Sequence, residues 1–553
     1  MTALIAIGLD AAEPAVLEAW IAAGHLPTLA RLKQQGCYGH LSNTEHYRAE
    51  TPWTTFISGQ VPEKTGYWGP IKYDPSTYSV KEVGAYTYQE NPPFYALGDK
   101  RKVIAFDIPQ SALSDDVDGL HVLGWGAHSP MTASHSTPED ALADIIAKYG
   151  EHPAFLKDFA ECRNLHALTR LQKAMAVGIE RKANICANLL NQQEWDLFLT
   201  IFGETHTAGH YMWHLSQPDH PLYCMAEAGA EDLMLKTFVE VDQAIGKILA
   251  ASPQPANVVI FAAHGMGANV MDVPSMVFLP ELMHRYSFAG KAALAPGNVG
   301  DPMTPIEMAF DQKRGWIGEI WNRRAPLNAV SRWLRSKTPV RIQKPLDIFV
   351  NNLQQPSLRC PAALEQDGDS LFWQPAKWYE PLWPKMKAFA IPSYSEGYIR
   401  INVKGREATG IVEAVDYNAV CAELIELLQQ TTDARTGESL VDKVVRMRQD
   451  PFDKNPKLPD ADLVVLWNED IPSDVMDTIG YGRIGPVPHH RTGSHRAHGF
   501  LLADGPDIDP DSFQANGHAV DLAPTLLALL GIEETQQLSG QNLFKRSTLT
   551  SVG

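Results

Sequence analysis

The segment Phe202-Gly-Glu-Thr-His-Thr-Ala-Gly-His-Tyr-Met-Trp213 follows a mostly apolar run, Trp195 to Phe202. That run is typical of a buried strand, so the polar groups after it are expected at the strand's carboxyl end, the edge where open α/β sheets bind ligands. His206 and His210 are four residues apart and would share one face of a helix, close enough to hold one metal ion. Two histidines that cap or pack a helix are the alternative, and spacing alone favours it.

Other segments place metal-ligand residue types at similar points of the chain. Ala3 to Leu9 is predicted to be a strand that delivers Asp10 at its tip, and the apolar run from Asn257 is predicted to end on His264. A third segment, Gly493-Ser-His495, precedes another predicted strand. Asp10, the His206–His210 segment and His264 thus follow three predicted strands, which places ligand-type residues at one edge of the sheet.

Thr51 precedes Pro52 at the start of a predicted helix. Ser and Thr are good N-caps and Pro is favoured at the first helical position, where unpaired amides and the helix dipole attract an anion. The hydroxyl of Thr51 is therefore placed as a nucleophile would be, or it merely caps the helix. The residues leave both interpretations open.

The composition excludes several classes of function. The chain has 553 residues with 47 Lys plus Arg against 65 Asp plus Glu, and the formal charge of −18 disfavours a nucleic acid duplex as partner. A small anionic substrate would need local positive charge. No apolar run approaches the roughly 18 residues that a membrane span requires. Homo-oligomer formation is left open.

The cysteines and the N-terminus favour a cytoplasmic protein. Six cysteines are scattered without a C-x-x-C pair, which indicates reduced and mostly packed thiols. Met1 to Asp10 is apolar but lacks a basic region, so a first strand is predicted there and not a signal peptide.

A change of pattern divides the chain. From residue 271 to about 388 the periodicity loosens and prolines accumulate, which predicts an insertion or lid between residues 1–270 and 389–553 of a core domain. Within it, Lys313 to Lys344 carries nine basic residues against one acid, Glu319. This basic stretch would draw an anionic substrate to the site, or it is the solvated face of a helix pair.

Together these segments resemble the alkaline phosphatase superfamily and, within it, the type I phosphodiesterase/nucleotide pyrophosphatase group. The likeness extends over nearly the whole chain and lies in the order and spacing of several motifs. They are residues 5–10, 25–32, 52–59, 195–213, 263–265, 397–407, 493–495 and 520–531. The resemblance implies an α/β fold, an alkaline-phosphatase-like three-layer α/β/α sandwich with a mostly parallel mixed sheet and an inserted lid.

The resemblance also implies a site with one or two divalent metal ions, with zinc as first choice and manganese or iron as alternatives. Carried over by position, His206, His210 and His495 would form one metal site, and Asp10 and His264 would belong to the other, beside the nucleophile.

Two departures from the family pattern remove carboxylates from the ligand set. The family usually has Asp at the position of His206, and an Asp-His-Gly where this chain has Ala263-His264-Gly265. Three neutral imidazoles are still enough protein ligands for a zinc ion with an open fourth position. The second site then has few protein ligands, so Glu50 or Glu204 would have to replace the missing acid.

The family's usual spacing places Ala49 at the nucleophile position, which cannot attack. A shortened turn puts Thr51 there, and Thr51 is the predicted nucleophile. The fallback is metal-bound hydroxide with Glu204 or Glu50 as general base. Trp53 and His128 are predicted to line the substrate pocket.

We therefore expect a metal-dependent hydrolase of a small phosphodiester or a related anionic ester. One alternative is the same fold acting on a carbon centre, by hydrolysis or transfer of an ester or amide. Another is a member that binds a ligand without catalysis, for which Ala49 and Ala263 are the motivation.

Overall fold

The computed structural model describes residues 2–126, 132–155, 165–223, 231–297, 299, 315–324, 337–339, 342–343, 345, 347–348, 358–513, 517–532 and 537–544. Its strands, in chain order, are β1 (Ala3–Leu9), β2 (Cys37–Ser42), β3 (Ile71–Asp74), β4 (Ser79–Glu82), β5 (Gly98–Phe106), β6 (Val117–Leu123), β7 (His135–Thr137), β8 (Leu197–Phe202), β9 (Ala256–Ala262), β10 (Gly265–Ala268), β11 (Ala388–Ile391), β12 (Gly397–Ile401), β13 (Thr432–Asp433), β14 (Val441–Arg446), β15 (Leu463–Trp467), β16 (Met476–Asp477), β17 (Gly493–Arg496), β18 (His498–Asp504) and β19 (Gly517–His518).

The α-helices are α1 (Pro14–Ala22), α2 (Pro27–Gln35), α3 (Pro52–Ser58), α4 (Pro62–Thr65), α5 (Ala141–Tyr149), α6 (Leu165–Gln192), α7 (Glu204–Ser216), α8 (Leu233–Ala250), α9 (Leu279–Ser287), α10 (Gly315–Asn322), α11 (Pro361–Gln366), α12 (Pro375–Trp378), α13 (Tyr417–Gln429) and α14 (Leu522–Leu529). A π-helical turn covers Pro274–Phe278, and short 3₁₀ helices cover Glu380–Lys385, Ala414–Asp416 and Ala519–Asp521.

The central sheet has the strand order β19-β2-β18-β9-β1-β8-β5-β6-β7. The five strands from β9 to β6 run parallel to one another, while β18 and β7 pair antiparallel at either side of them. The apolar sequences of β1 and β8 explain their central position in the sheet. Both strands are buried along their whole length, as parallel strands covered on both faces must be. The sheet is therefore mixed and mostly parallel, as predicted.

The side chains of β1 alternate between two hydrophobic cores. Ile5 and Ile7 pack into the core that includes residues of α2, α6 and α8, whereas Leu4 and Ala6 pack into the core that includes residues of α3 and α14. Helices thus cover both faces of the sheet, and the three-layer α/β/α sandwich is confirmed.

A second sheet, β11-β12-β15-β14, has a hydrophobic core of its own. All its pairings are antiparallel, and α9 packs against β11. The chain enters this sheet after β10 and returns to the central sheet at β18. The turn between β11 and β12 contributes to the wall of the cavity described below.

Within the described part of the chain, no helix is long and apolar enough to cross a membrane. Cys37, Cys186, Cys360 and Cys421 are free and buried, in agreement with the expectation of packed thiols.

Candidate metal and substrate site

Three parallel strands deliver polar side chains to one edge of the central sheet. Asp10 follows β1, and its amide donates a hydrogen bond to the carbonyl of Phe202 at the end of β8 (3.1 Å). Helix α7 begins directly after β8, and His264 follows β9 by one residue. Because these strands are neighbours in parallel register, their carboxyl ends lie together.

His206 and His210 on α7 meet His495 on β17 to form a cluster, called here the histidine cluster. One potential ligand atom from each residue lies within 4.8 Å of the others, and all three residues are buried. The Nε2 atoms of His206 and His210 are 3.1 Å apart. The distant segments therefore converge as the sequence predicted.

The tautomer of His210 is fixed by its surroundings. Its Nδ1 lies 2.7 Å from the carbonyl oxygen of Gly493, which can only accept, so Nδ1 carries the proton and Nε2 keeps a lone pair. Burial, together with the positive charge of Arg491, holds the pKa of His210 well below its ordinary value. Three buried imidazoles, one of them oriented by a carbonyl, fit the donor set of a zinc-type ion.

Asp10 and His264 form a thinner half of the site. The Nε2 atom of His264 is 3.6 Å from Oδ1 of Asp10, and the indole N–H of Trp53 donates to the same oxygen at 3.1 Å. Burial lowers the pKa of His264 to about 3, so its ring is neutral. Among the described residues, no third ligand-type side chain completes this pair, since the histidine cluster is the single group of three that qualifies.

The two halves line one cavity whose empty volume, including its mouth, is about 910 Å³. Glu50 and Arg491 supply charged groups to its wall. The wall also contains several aromatic side chains: Trp53, Tyr67, Tyr211, Trp373 and Tyr394. A wall that combines charged and imidazole groups with aromatic side chains suits a small anionic ligand that has an apolar or planar part.

Glu50 is a buried carboxyl group at the cavity wall. Its Oε1 accepts from the Tyr394 amide (3.1 Å) and the Tyr398 hydroxyl (2.9 Å). Its Oε2 lies 2.6 Å from the Ser395 hydroxyl, which also lies 2.5 Å from Glu396. Burial and the nearby charge of Glu396 raise the pKa of Glu50 to about 7. A carboxyl group that titrates near neutrality can take up or release a proton during a reaction.

The structure does not bring Thr51 to the cavity wall, where Ala49 and Glu50 lie instead. Thr51 stands at the N-cap of α3, as predicted, but its hydroxyl donates to the Tyr47 carbonyl four residues earlier (2.9 Å). The turn before α3 is already helical at Thr51, with φ −103° and ψ −20°, which allows this backward bond.

Glu204 also lies away from the cavity wall. It is buried, and its Oε1 lies 2.9 Å from Nε2 of His152. Although burial would raise the pKa of Glu204, the charge of Lys182 and the hydrogen bond and charge of His152 together outweigh it, and the pKa is lowered. Glu204 therefore belongs to a buried ionic network that also includes His152, Lys182 and Asp107. Trp53 lines the cavity as predicted, whereas His128 and most of the basic stretch from Lys313 to Lys344 lie outside the described residues.

Sequence reasoning missed Arg491. Its Nη1 donates toward Nε2 of His210 (3.0 Å), and its Nε and Nη2 donate to the carboxylate of Asp272 (2.7 and 3.2 Å). The available signal was proximity along the chain, because Arg491 lies four residues before His495.

The family model for type I phosphodiesterase/nucleotide pyrophosphatase matches residues 4–304, more than half of the chain. Among solved structures, phosphonoacetate hydrolase from Sinorhizobium meliloti 1021 in complex with phosphonoformate is similar, with 12% identity, a TM-score of 0.49, and coverage of 96% of this chain and 95% of that chain. The complex with phosphonoacetate gives 13% identity and a TM-score of 0.47 over the same shares. No curated protein matches the chain.

Proposed function

The chain belongs to the type I phosphodiesterase/nucleotide pyrophosphatase family, and from this membership we propose that it is a divalent-metal-dependent hydrolase of a small phosphodiester or a related anionic ester. The single observation that carries the metal dependence is the histidine cluster. Three buried donors from α7 and β17, with the His210 tautomer fixed by Gly493, are more than helix packing requires.

His206, His210 and His495 would hold the ion, with zinc as first choice. A divalent cation at these nitrogens would supply Lewis acidity toward an anionic oxygen of the substrate. All three ligands are neutral, so the charge of the ion would not be offset by its own ligands, and an anionic substrate would be attracted. Asp10 and His264 lie beside this ion site and would orient the substrate or hold a second ion.

Glu50 is proposed as the general base. In its ionised form it accepts hydrogen bonds from Tyr394, Ser395 and Tyr398, which fix the carboxylate at the cavity wall. A water molecule placed between Glu50 and the phosphorus atom would lose its proton to Glu50 as the water oxygen bonds to phosphorus and the leaving oxygen departs. A pKa of about 7 allows this exchange near neutral pH.

Water is favoured over Thr51 as the attacking group. The Thr51 hydroxyl is bonded to the Tyr47 carbonyl, and Thr51 does not line the cavity. For Thr51 to attack, this bond would have to break and the side chain would have to rotate. A Thr51→Val variant separates the two mechanisms, because it keeps the shape of the side chain and removes the hydroxyl.

The function is tested with purified protein and four compounds that share one chromophore: 4-nitrophenyl phosphate, methyl 4-nitrophenyl phosphate, 4-nitrophenyl acetate and 4-nitroacetanilide. We expect hydrolysis of phosphoesters, loss of that activity with a chelator and recovery with zinc or manganese. Hydrolysis of the acetate or the anilide alone would favour the carbon-centre alternative. A protein that binds no stoichiometric metal and hydrolyses none of the four would contradict the proposal.

A further inference from the structure

Arg491 is a permanent positive charge in an otherwise neutral or acidic cavity wall. Among the described residues that line the cavity it is the only arginine or lysine, while Asp10 and Glu50 are acidic. In a protein with a formal charge of −18, an anion is repelled unless positive charge is concentrated at its site. Arg491 is therefore the described side chain of this wall that carries a permanent positive charge.

The guanidinium group is held in one plane by Asp272. Two of its nitrogens donate to the two carboxylate oxygens of Asp272, and Asn269 donates to the same carboxylate from its side chain (2.8 Å). Burial would raise the pKa of Asp272, but the charge and hydrogen bonds of Arg491, together with His490 and Asn269, lower it below its ordinary value, so the partner stays ionised. A planar arginine fixed at two nitrogens can present the third with little loss of freedom.

Hydrogen bonds also fix the backbone at Arg491 and Thr492. The carbonyl of Arg491 accepts from the Asn269 side chain at 3.0 Å, and the Thr492 amide donates to the His210 carbonyl at 2.8 Å. The position of Arg491 relative to α7 is thus determined on both sides. Its Nη1 donates to Nε2 of His210 at 3.0 Å. An ion at that nitrogen would take the lone pair that accepts this bond, so Nη1 would turn to an anionic group bound beside the ion.

A buried arginine with a purely structural role looks different in this protein. Arg285 forms an ion pair with Glu281, and its other nitrogens donate to backbone carbonyls and do not face the cavity. Those carbonyls belong to Leu294, Tyr481 and Arg483. Arg491 instead directs Nη1 toward an imidazole at the cavity wall.

We propose that Arg491 binds a non-bridging oxygen of the substrate's phosphoryl group and makes the site prefer the doubly charged phosphoryl group of a phosphomonoester to the singly charged phosphodiester. The inference rests on the proposed function and, of its two substrate classes, selects the related anionic ester, here a phosphomonoester, over the small phosphodiester. A monoester has three non-bridging oxygens that share two charges, so one can lie at the histidine cluster while another lies at Arg491. A diester offers two such oxygens and one charge, so it gains less from the second positive partner.

The test compares 4-nitrophenyl phosphate with methyl 4-nitrophenyl phosphate, which share a leaving group and differ by one charge. In Arg491→Gln we expect the ratio of kcat/KM for the monoester to kcat/KM for the diester to fall by roughly 10- to 100-fold. Arg491→Lys keeps the charge without the planar fork and should give an intermediate ratio. An unchanged ratio in Arg491→Gln, with both esters still hydrolysed, would overturn the inference and leave the proposed function intact.

The matched control is Arg435→Gln, because Arg435 forms the same two-bond pair with buried Asp474 (2.7 and 2.9 Å) outside the cavity wall. Its melting temperature measures the loss of such a pair alone, and its ester ratio should equal that of the wild type.

A binding measurement tests the role of Arg491 in the absence of turnover. By calorimetry on the metal-loaded protein, inorganic phosphate should bind more tightly than dimethyl phosphate, and the difference should shrink roughly tenfold or more in Arg491→Gln at unchanged metal content. If neither ester is hydrolysed by the wild type, the proposed function fails, while the phosphate measurement still tests Arg491. Equal affinities of wild type and Arg491→Gln for phosphate would overturn the inference.

Discussion

The histidine cluster and the Asp10–His264 pair lie at the same sheet edge, yet they are built differently. The cluster brings three ligand atoms within 4.8 Å of one another. In the pair, the carboxylate oxygen is 3.6 Å from the imidazole and also accepts from the Trp53 indole. The histidine cluster thus offers three candidate ligands, whereas the pair offers two. We therefore expect the histidine cluster to hold an ion more firmly than the Asp10–His264 pair does.

The contrast between the histidine cluster and the Asp10–His264 pair would be lost if both bound metal equally well. His210→Ala should remove the metal and lower kcat/KM by about 10⁴-fold, since the Lewis acidity of the ion is worth several kcal/mol. His264→Ala should retain the metal at the histidine cluster and lose less activity. Metal content by elemental analysis and steady-state kinetics check both variants. Loss of all metal in His264→Ala, with metal retained in His210→Ala, would reverse the assignment.

Lys182 is the fully buried cation of the ionic network that includes Glu204 and Asp107. Lys182 lies 2.8 Å from Asp107 and donates to the Ile201 carbonyl at the end of β8 (2.5 Å). Lys182→Met should lower the free energy of unfolding by about 3–5 kcal/mol, because it leaves Asp107 buried without its cation. Urea denaturation measures this loss.

The control for Lys182 is an exposed lysine. Lys443 pairs with Glu45 at the surface, and Lys443→Met should change the free energy of unfolding by no more than about 1 kcal/mol. Similar losses in the two variants would contradict the structural role of the buried network.

Glu50 lies at the cavity wall and Glu204 lies in the buried ionic network, which gives a second comparison. If Glu50 is the base, kcat/KM rises with pH as the carboxyl group ionises through its pKa of about 7, and Glu50→Gln lowers kcat/KM by roughly 10²-fold and removes this rise. Glu204→Gln should retain the pH step, since Glu204 does not line the cavity. A step that persists in Glu50→Gln would assign it to another group.

Thr51→Val should have the smallest effect of the catalytic variants. The hydroxyl is bonded to the Tyr47 carbonyl, so we expect kcat to stay within about threefold of the wild type, the usual range for a neutral buried hydrogen bond. Single-turnover and steady-state rates check this. A loss comparable to that of His210→Ala would restore Thr51 as the nucleophile.

Sequence patterns predicted the sheet and the convergence of its strand ends because both follow from local apolar runs and parallel pairing. The three strands before Asp10, α7 and His264 were recognisable from their composition alone. His495 was reached through the resemblance, since nothing local to Gly493-Ser-His495 indicates a ligand.

The orientation of the catalytic candidates was harder to predict. Glu204 and His206 are two positions apart on α7, about 200° around a helix, so helical phase already pointed Glu204 away from the metal ligands. The environment of Glu50 depends on Tyr394, Ser395 and Tyr398, which lie more than 340 residues along the chain, on β12 and in the turn before it. Sequence periodicity does not predict a contact between residues so far apart along the chain. The ion pair of Arg491 with Asp272 is another contact of this kind.

The central claim, that the histidine cluster is a built cation site, is tested most directly by elemental analysis of the wild type and of His495→Ala, each purified alongside the other. The account predicts at least one equivalent of a divalent transition metal per wild-type chain and its loss in His495→Ala, with the fold retained by circular dichroism. Equal metal content in the two proteins, or none in the wild type even after incubation with zinc, would contradict it.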